Sequence, residues 1–241
     1  PIKAMTIPLQ INLSTVGQQA GDYKTSDLGT ALDPYLASIA AEMEKVAKDR
    51  KIVVFLPLVK TSQKFTELLN QAGFKAVEVN GESKDRAEIL ADFDSGKYNV
   101  LCNSMLLTEG WDCPSVDCVV VLRPTKVRSL YSQMVGRGTR LFPGKSELLL
   151  LDFLWHTERH ELCHPAHLIA ENEEVAQAMT KQIEEAGVPL DLEVVEKQAT
   201  EDVVSQREEA LAKLLQEMKS RKRKLVDPLQ FEMSIQAEDL S

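Results

Sequence analysis

Apolar segments alternate with amphipathic segments from Lys51 onwards, and this alternation constrains the fold more than any other feature of the sequence. Residues 52–56 have the composition of a buried strand, and residues 61–72 follow with apolar side chains at helical spacing and Thr61 or Ser62 as the expected N-cap. The same order repeats, predicting strands over residues 52–56, 75–79, 99–102, 116–122 and 147–153. Because parallel strands need crossover helices, we predict an α/β fold with a parallel sheet and flanking helices.

Three parts are predicted along the chain. Residues 1–33 are expected to form a linker and an extra strand, in which Ile7, Leu9, Ile11 and Leu13 alternate with other residues. Residues 34–160 are expected to form the α/β domain. Residues 161–241 are expected to form a helical C-terminal extension, with a break at residues 187–190 and a second helix over residues 203–224.

The distribution of charge matters more than the formal net charge of −9. Residues 171–209 hold twelve acidic residues against three basic ones, whereas residues 123–145 and 219–224 contain basic clusters that could meet phosphate groups. No apolar run approaches the roughly 18 residues that span a bilayer, and the four cysteines form no CxxC pair. The sequence therefore predicts a cytoplasmic protein with reduced thiols and no membrane partner.

Residues of unusual chemistry follow the predicted strands. Ser104 and the loop of residues 108–114 follow the third strand, and Arg123 follows the fourth. Because ligands of open parallel sheets bind beyond the carboxyl ends of the strands, we expect these residues, together with Arg137 and Arg140, at that edge. The two arginines are three residues apart and would project to one side of a helical turn. Two guanidiniums held together suit stabilisation of charge on a transferred phosphoryl group.

Four segments resemble the motifs of superfamily 2 helicases and translocases, in matching order and spacing. Residues 133–140 resemble their last motif, Q-x-x-G-R-x-x-R, and residues 108–112 resemble the fifth. Residues 51–61 resemble the fourth motif, and residues 81–96 resemble the segment between the two. The wording Thr-Glu-Gly-Trp-Asp-Cys-Pro is closest to that of the phage-type and restriction-type DEAD/DEAH-box enzymes.

This resemblance implies the second of two RecA-like domains, with ATP in the cleft between them. It implies that Arg137 and Arg140 are arginine fingers and that Gln133 couples the ATP site to the nucleic-acid site. The residues expected to line the nucleotide are Gly110, Asp112 and Gly136. The residues expected to contact a nucleic-acid backbone are Lys60, Thr61, Ser62, Gly81, Ser104, Arg123 and Lys126. Gln133 replaces the His of the DEAD-box wording and Glu109 replaces an Arg, which favours DNA as the partner.

The other half of such a motor is missing from the sequence. No strand precedes G-x-x-x-x-G-K-[ST], and D-E-x-[HD] does not occur. Gly144-Lys145-Ser146 follows Gly138 at the wrong spacing for a phosphate loop, so we interpret it as a turn that happens to contain lysine. ATP and Mg²⁺ would therefore be bound mainly by an N-terminal RecA-like domain of the same protein, and this chain alone should be inactive. The predicted function is the C-terminal motor half of a DNA helicase or translocase.

Two other classes of function remain open from the residues. One is a non-catalytic nucleic-acid-binding module that keeps the fold without the motor. The other is a metal-dependent hydrolase, because residues 160–164 match H-E-x-x-H and all four histidines lie within residues 156–167. Pro165 would cut the helix that such a zinc site requires.

Overall fold

The computed structural model describes residues 1–104, 111–157 and 161–225, with side chains of the last helix described up to Arg221. The strands in this part of the chain are β1 (Ile2–Asn12), β2 (Gln18–Gln19), β3 (Asp22–Tyr23), β4 (Ile52–Phe55), β5 (Ala76–Val79), β6 (Val100–Asn103), β7 (Cys118–Val121), β8 (Leu148–His156) and β9 (Leu190–Asp191). The helices are α1 (Thr25–Leu32), α2 (Leu36–Ala47), α3 (Val59–Gln71), α4 (Arg86–Asp94), α5 (Arg128–Gly136), α6 (Glu173–Ala186) and α7 (Leu192–Leu225). Short 3-10 turns cover Asp33–Tyr35 and Pro165–Leu168.

Seven strands form one sheet in the order β5-β6-β4-β7-β8-β1-β9. The first six are parallel to their neighbours, and β9 pairs antiparallel with β1. The small β2 and β3 form a separate antiparallel pair. This architecture confirms the predicted RecA-like α/β fold, and the five predicted strands lie side by side in it as β5-β6-β4-β7-β8.

The central strands are buried on both faces, as is usual for parallel sheets covered by helices. Successive side chains point to opposite faces, so Val54 and Val120 pack on one face while Val53 and Val119 pack on the other. Buried residues of α1, α2 and α3 belong to the first group, whereas those of α4 and α5 belong to the second. The helices therefore cover both faces of the sheet.

The residues before the α/β pattern contribute more structure than predicted. Strand β1 pairs in parallel with β8 over most of its length, and α1 occupies a stretch expected to lack regular structure. The signal for α1 is weak because Leu28 and Leu32 are its two large apolar side chains, with Gly29 between them. The register of β1 shifts between Ile7 and Gln10, so Leu9 is only partly buried although we predicted a regular alternation.

Two predicted helix starts are wrong. Helix α3 begins at Val59 after an extended Leu58 with no side-chain cap, so Thr61 and Ser62 lie inside its first turn and are buried. Helix α7 begins at Leu192, eleven residues before the predicted start at residue 203. No side chain caps the first of these helices; the amide of Ser62 donates to the carbonyl of Leu58 and closes the first turn, while the side chain of Ser62 is buried.

The chain forms two compact units, Pro1–Lys197 and a second unit that begins at Gln198. The sheet belongs to the first unit. In the second, the described residues are helical and carry exposed apolar side chains at Leu211, Leu214, Leu215 and Met218.

Candidate functional site

The segment after α5 lies at the amino edge of the sheet. Helix α5 connects two parallel strands, so it returns the chain from the carboxyl end of β7 to the amino end of β8. Gly138 packs against both strands, because a Cβ atom there would approach Leu148 Cδ1 to 2.6 Å and Val119 Cγ2 to 2.9 Å. A side chain at this position would push the segment away from the sheet.

Two predicted nucleotide-site segments meet at this edge. Arg140 Nη1 donates to Asp112 Oδ2 at 2.6 Å, and Arg137 Nη1 donates to the carbonyl of Trp111 at 3.1 Å. The side chain of Arg140 is 65% exposed and that of Asp112 is 41% exposed, so the pair lies at the surface. Trp111 itself packs against Phe93, with ring centroids 6.2 Å apart.

The expectation that these arginines lie at the carboxyl edge is wrong. The arginines follow the fourth predicted strand in sequence but not in space, because the nine residues of α5 intervene and run back along the sheet. The predicted site is therefore divided between the two edges of the sheet.

Lys145 holds the two segments together through the backbone. Its Nζ donates to the carbonyls of Gly138 at 2.6 Å, Arg140 at 2.8 Å and Pro114 at 3.2 Å. Burial lowers the pKa of this ammonium, with the charge of Asp117 acting in the opposite direction. The interpretation of residues 144–146 as a turn is correct, but the lysine in it makes specific contacts.

Of the other predicted nucleotide-site residues, two are exposed at α5 and one lies outside the described residues. Gln133 is exposed on α5, and Gly136 is the exposed last residue of that helix. A Cβ atom added to Gly136 would meet nothing within 4 Å in the described structure. Gly110 lies outside the described residues.

Predicted backbone-contact residues follow one aligned row at the carboxyl edge. Val79 pairs with Asn103, Asn103 with Phe55, and Phe55 with Val121, so the ends of β5, β6, β4 and β7 are level. The residues that follow within five positions are Gly81, Ser104, Lys60 and Arg123. Lys60 and Gly81 are exposed, and Arg123 is partly exposed.

Three buried polar atoms at this edge have no hydrogen-bond partner among the described residues: Ser62 Oγ, Asn103 Oδ1 and Ser104 Oγ. The amide of Asn103 is fixed by its Nδ2, which donates to the carbonyl of Val54 at 3.1 Å. A buried polar group without a partner costs about 1–3 kcal/mol. Ser62 and Ser104 are both predicted phosphate contacts, so hydrogen-bonding capacity remains at two of the predicted positions.

Lys126 is engaged within the chain. Its Nζ lies 3.0 Å from Glu161 Oε2 and 5.1 Å from the ring centroid of Tyr23, and its side chain is 7% exposed. Asp22 holds the backbone beside it, accepting from Thr125 Oγ1 at 2.5 Å and from the amide of Lys126 at 2.9 Å. Sequence reasoning missed Asp22, because nothing in its local sequence indicates a partner about a hundred residues away.

Histidines form a polar cluster on the carboxyl side of β8. His164 Nδ1 lies 2.8 Å from Asp152 Oδ2, and His167 Nε2 lies 3.2 Å from Glu173 Oε2. Burial lowers the pKa of His164, but the charge and hydrogen bond of Asp152 outweigh it and raise the pKa overall. Burial dominates at His167 and lowers its pKa despite Glu173. His160 lies outside the described residues, and among those described no three His, Cys, Asp or Glu are arranged to hold a metal ion.

Across the described residues, none of the helices combines the length and the apolar character needed to cross a membrane.

Comparison with known proteins finds relatives of the α/β domain. Residues 34–141 match the model of the helicase conserved C-terminal domain. A 51.5 kDa protein of a Lactococcus phage is 29% identical over 160 residues, which are 65% of this chain and 35% of that protein. A Saccharomyces cerevisiae protein described as an ATP-dependent helicase, Irc3, is 30% identical over 159 residues, which are 63% of this chain and 23% of that protein.

The solved C-terminal domain of Saccharomyces cerevisiae Dbp5 is 16% identical, with a TM-score of 0.44 over 70% of this chain and 92% of that one. The chain matches about a third and about a quarter of the length of its phage and yeast sequence relatives.

Proposed function

We propose, from the match of residues 34–141 to the model of the helicase conserved C-terminal domain, that this chain is the C-terminal motor half of an ATP-dependent DNA helicase or translocase. It supplies arginine fingers to ATP bound on an N-terminal RecA-like domain of the same protein, and it contacts the backbone of the nucleic acid. The observation that carries this proposal is the meeting of Arg137 and Arg140 with the Trp111–Asp112 segment at one edge of the sheet.

The amino edge fits the phosphate groups of ATP. Arginine binds phosphate oxygens through a planar fork of donors, and it remains charged at all relevant pH values. Arg137 and Arg140 bind and orient the phosphates, while Gln133 couples this edge to the nucleic-acid edge. Gly110, Asp112 and Gly136 line the nucleotide. Mg²⁺ neutralises phosphate charge when bound, and the N-terminal domain would supply most of its ligands.

The present partner of Arg140 does not prevent this role. An exposed ion pair contributes only about 0–1 kcal/mol, and both side chains of the Arg140–Asp112 pair are well exposed. A phosphate group carries more negative charge than one carboxylate, so it competes effectively for the guanidinium. Arg140 can therefore leave Asp112 for ATP at little cost.

The carboxyl edge fits a nucleic-acid backbone. Lys60 supplies positive charge, Gly81 allows close approach, and Ser104 retains an unused hydroxyl among the described residues. Arg123 lies in the same row of strand ends. We leave Lys126 out of this set because Glu161 already pairs with its ammonium. Thr61 and Ser62 stay in it as helix-start residues, although their side chains are buried.

DNA is the proposed partner because Gln133 and Glu109 depart from the DEAD-box wording. Contacts to phosphate and sugar position a protein but carry little sequence information. We therefore expect low sequence specificity and affinity that falls steeply with salt.

ATP hydrolysis tests the proposal. The rate is measured for this chain and for the longest natural polypeptide that contains it, each with no nucleic acid, with single- or double-stranded DNA, and with RNA of the same length. We expect no turnover by this chain and DNA-stimulated turnover by the longer polypeptide.

Two results would contradict the proposal. Absence of turnover from both proteins, with DNA binding retained, would favour a non-catalytic binding module. Turnover by this chain alone would require a nucleotide site other than the one proposed.

A further inference from the structure

The ammonium of Lys145 donates hydrogen bonds to two separate backbone segments, and these bonds use all three of its donors. A lysine ammonium has three N–H donors, and the three carbonyls it meets belong to Pro114, Gly138 and Arg140. Pro114 follows the Trp111–Asp112 segment, while Gly138 and Arg140 belong to the arginine segment. Lys145 itself lies in the next turn of the chain, where its amide donates to the carbonyl of Phe142 at 3.0 Å.

The contacts of Lys145 differ in kind from the arginine contacts between these segments. Arg137 and Arg140 reach the Trp111–Asp112 segment with their guanidiniums, and these are the groups proposed to move to phosphate. When they do so, both contacts break. Lys145 contacts backbone carbonyls, so its contacts survive the exchange.

We propose that Lys145 is a positioning residue that keeps the backbone of the arginine segment fixed to the Trp111–Asp112 segment while Arg137 and Arg140 exchange their partners for phosphate oxygens. This inference rests on the proposed function of the two arginines. Gly138 supports it from the other side, because its close packing on Leu148 and Val119 seats the same segment on the sheet. The segment is thus held by packing beneath and by Lys145 beside it.

The expected kinetic effect follows from the role of geometry in catalysis. Displacement of a reacting or stabilising group by about 1 Å can cost on the order of a hundredfold in rate. Lys145 does not touch the nucleotide in this proposal, so its loss should lower kcat more than it changes the KM for ATP.

The test uses the longest natural polypeptide that contains this chain. In Lys145→Met, which keeps side-chain length and removes the donors, we expect kcat to fall roughly tenfold to a hundredfold while KM for ATP stays within about threefold. Lys145→Arg retains charge and donors and should recover a substantial part of the loss. Lys48→Met serves as the matched control, because Lys48 is exposed and pairs only loosely with Glu44 at 3.6 Å.

A second measurement separates positioning from general stability. Amide hydrogen exchange of this chain should become faster in residues 111–114 and 137–140 of Lys145→Met, with exchange in β7 and β8 unchanged. Faster exchange across those strands as well would mean that Lys145 supports the fold rather than the segment, and it would overturn the proposal.

Arg137→Ala, measured in parallel, distinguishes failure of the positioning role from failure of the proposed function. If Arg137→Ala abolishes turnover and Lys145→Met leaves kcat unchanged, the positioning role is wrong and the arginine-finger role stands. If Arg137→Ala also leaves turnover unchanged, the proposed function itself fails.

Discussion

Gly136 and Gly138 lie two residues apart but differ in the space available for a side chain. A Cβ atom at Gly138 would enter the space of Leu148 and Val119, whereas one at Gly136 would meet nothing within 4 Å in the described structure. The first glycine is therefore required by packing inside this chain. The second leaves room for something outside it, which agrees with a proposed place beside the nucleotide.

Stability measurements should separate the two glycines. Gly138→Ala should lower the free energy of unfolding by about 1–3 kcal/mol, the usual cost of an overpacked core position. Gly136→Ala should leave it unchanged or raise it by up to about 1 kcal/mol, because alanine favours the helical conformation. Urea unfolding of both variants is the measurement, and equal effects would mean that the packing around Gly138 is misassigned.

His164 and His167 should contribute to stability with opposite dependence on pH. The pKa of His164 is raised in the folded state, so its contribution is present below about pH 6.5 and is lost as pH rises through the folded pKa. The pKa of His167 is lowered, so protonation of this residue opposes folding as pH falls below about 6.5.

Unfolding free energies of His164→Gln and His167→Gln at about pH 5.5 and about pH 8.5 test this assignment. Relative to the unsubstituted chain, the loss in His164→Gln should be larger at the lower pH. The loss in His167→Gln should be larger at the higher pH. Parallel pH dependence of the two variants would show that the Asp152 contact at His164 and burial at His167 do not set these pKa values.

Residues that act through local spacing were predictable, and residues that act through distant contacts were not. Arg137 and Arg140 could be identified because their motif is contiguous. Asp22 and Thr125 meet across 103 positions, and no local pattern announces such a pair. The sequence placed Lys145 in a turn, but its role could not be predicted because it depends on which carbonyls the turn brings near the ammonium.

At the scale of elements, the strands that carry the site were predictable because buried parallel strands are continuous runs of apolar residues. The position of the arginine segment was not, because its edge depends on the direction in which α5 runs. The position of β1 in the sheet could not be predicted from the sequence either. Its alternation predicts a strand, but its pairing with β8 joins residues about 145 positions apart.

Strand β1 should be essential to the stability of the sheet. Ile7 is fully buried, whereas Leu9 is only partly buried after the shift in register. Ile7→Ala should therefore lower the free energy of unfolding by about 2–5 kcal/mol, and Leu9→Ala should lower it by clearly less. Denaturant unfolding measures both, and a larger effect at Leu9 would contradict the register of β1 on β8.

At the scale of the molecule, the proposed ATP and nucleic-acid contacts lie at opposite ends of the same short strands. A four-residue strand such as β7 is about 13 Å long, so the two edges are close enough to be coupled through one rigid sheet. Ser104 at one edge and Asp112 at the other are joined by a single connection of the chain.

The proposed contacts at the carboxyl edge can be tested through the salt dependence of nucleic-acid affinity. In the longest natural polypeptide, Lys60→Ala should reduce the slope of log affinity against log salt concentration by about 0.7 for single-stranded DNA, or about 0.9 for duplex. Lys48→Met should leave the slope unchanged, because Lys48 follows α2 rather than a strand's carboxyl end. Fluorescence anisotropy over a salt series measures both. An unchanged slope for Lys60→Ala would remove this residue from the backbone contacts.

We propose that Arg137 at the amino edge stabilises charge during ATP hydrolysis. The most direct test is nucleic-acid-stimulated ATP turnover of the longest natural polypeptide carrying Arg137→Ala, with Arg128→Ala as control because that arginine is exposed and contacts Glu173. We expect a loss on the order of a thousandfold or more for Arg137→Ala and little change for the control. Turnover of Arg137→Ala within about twofold of the unsubstituted protein would contradict it.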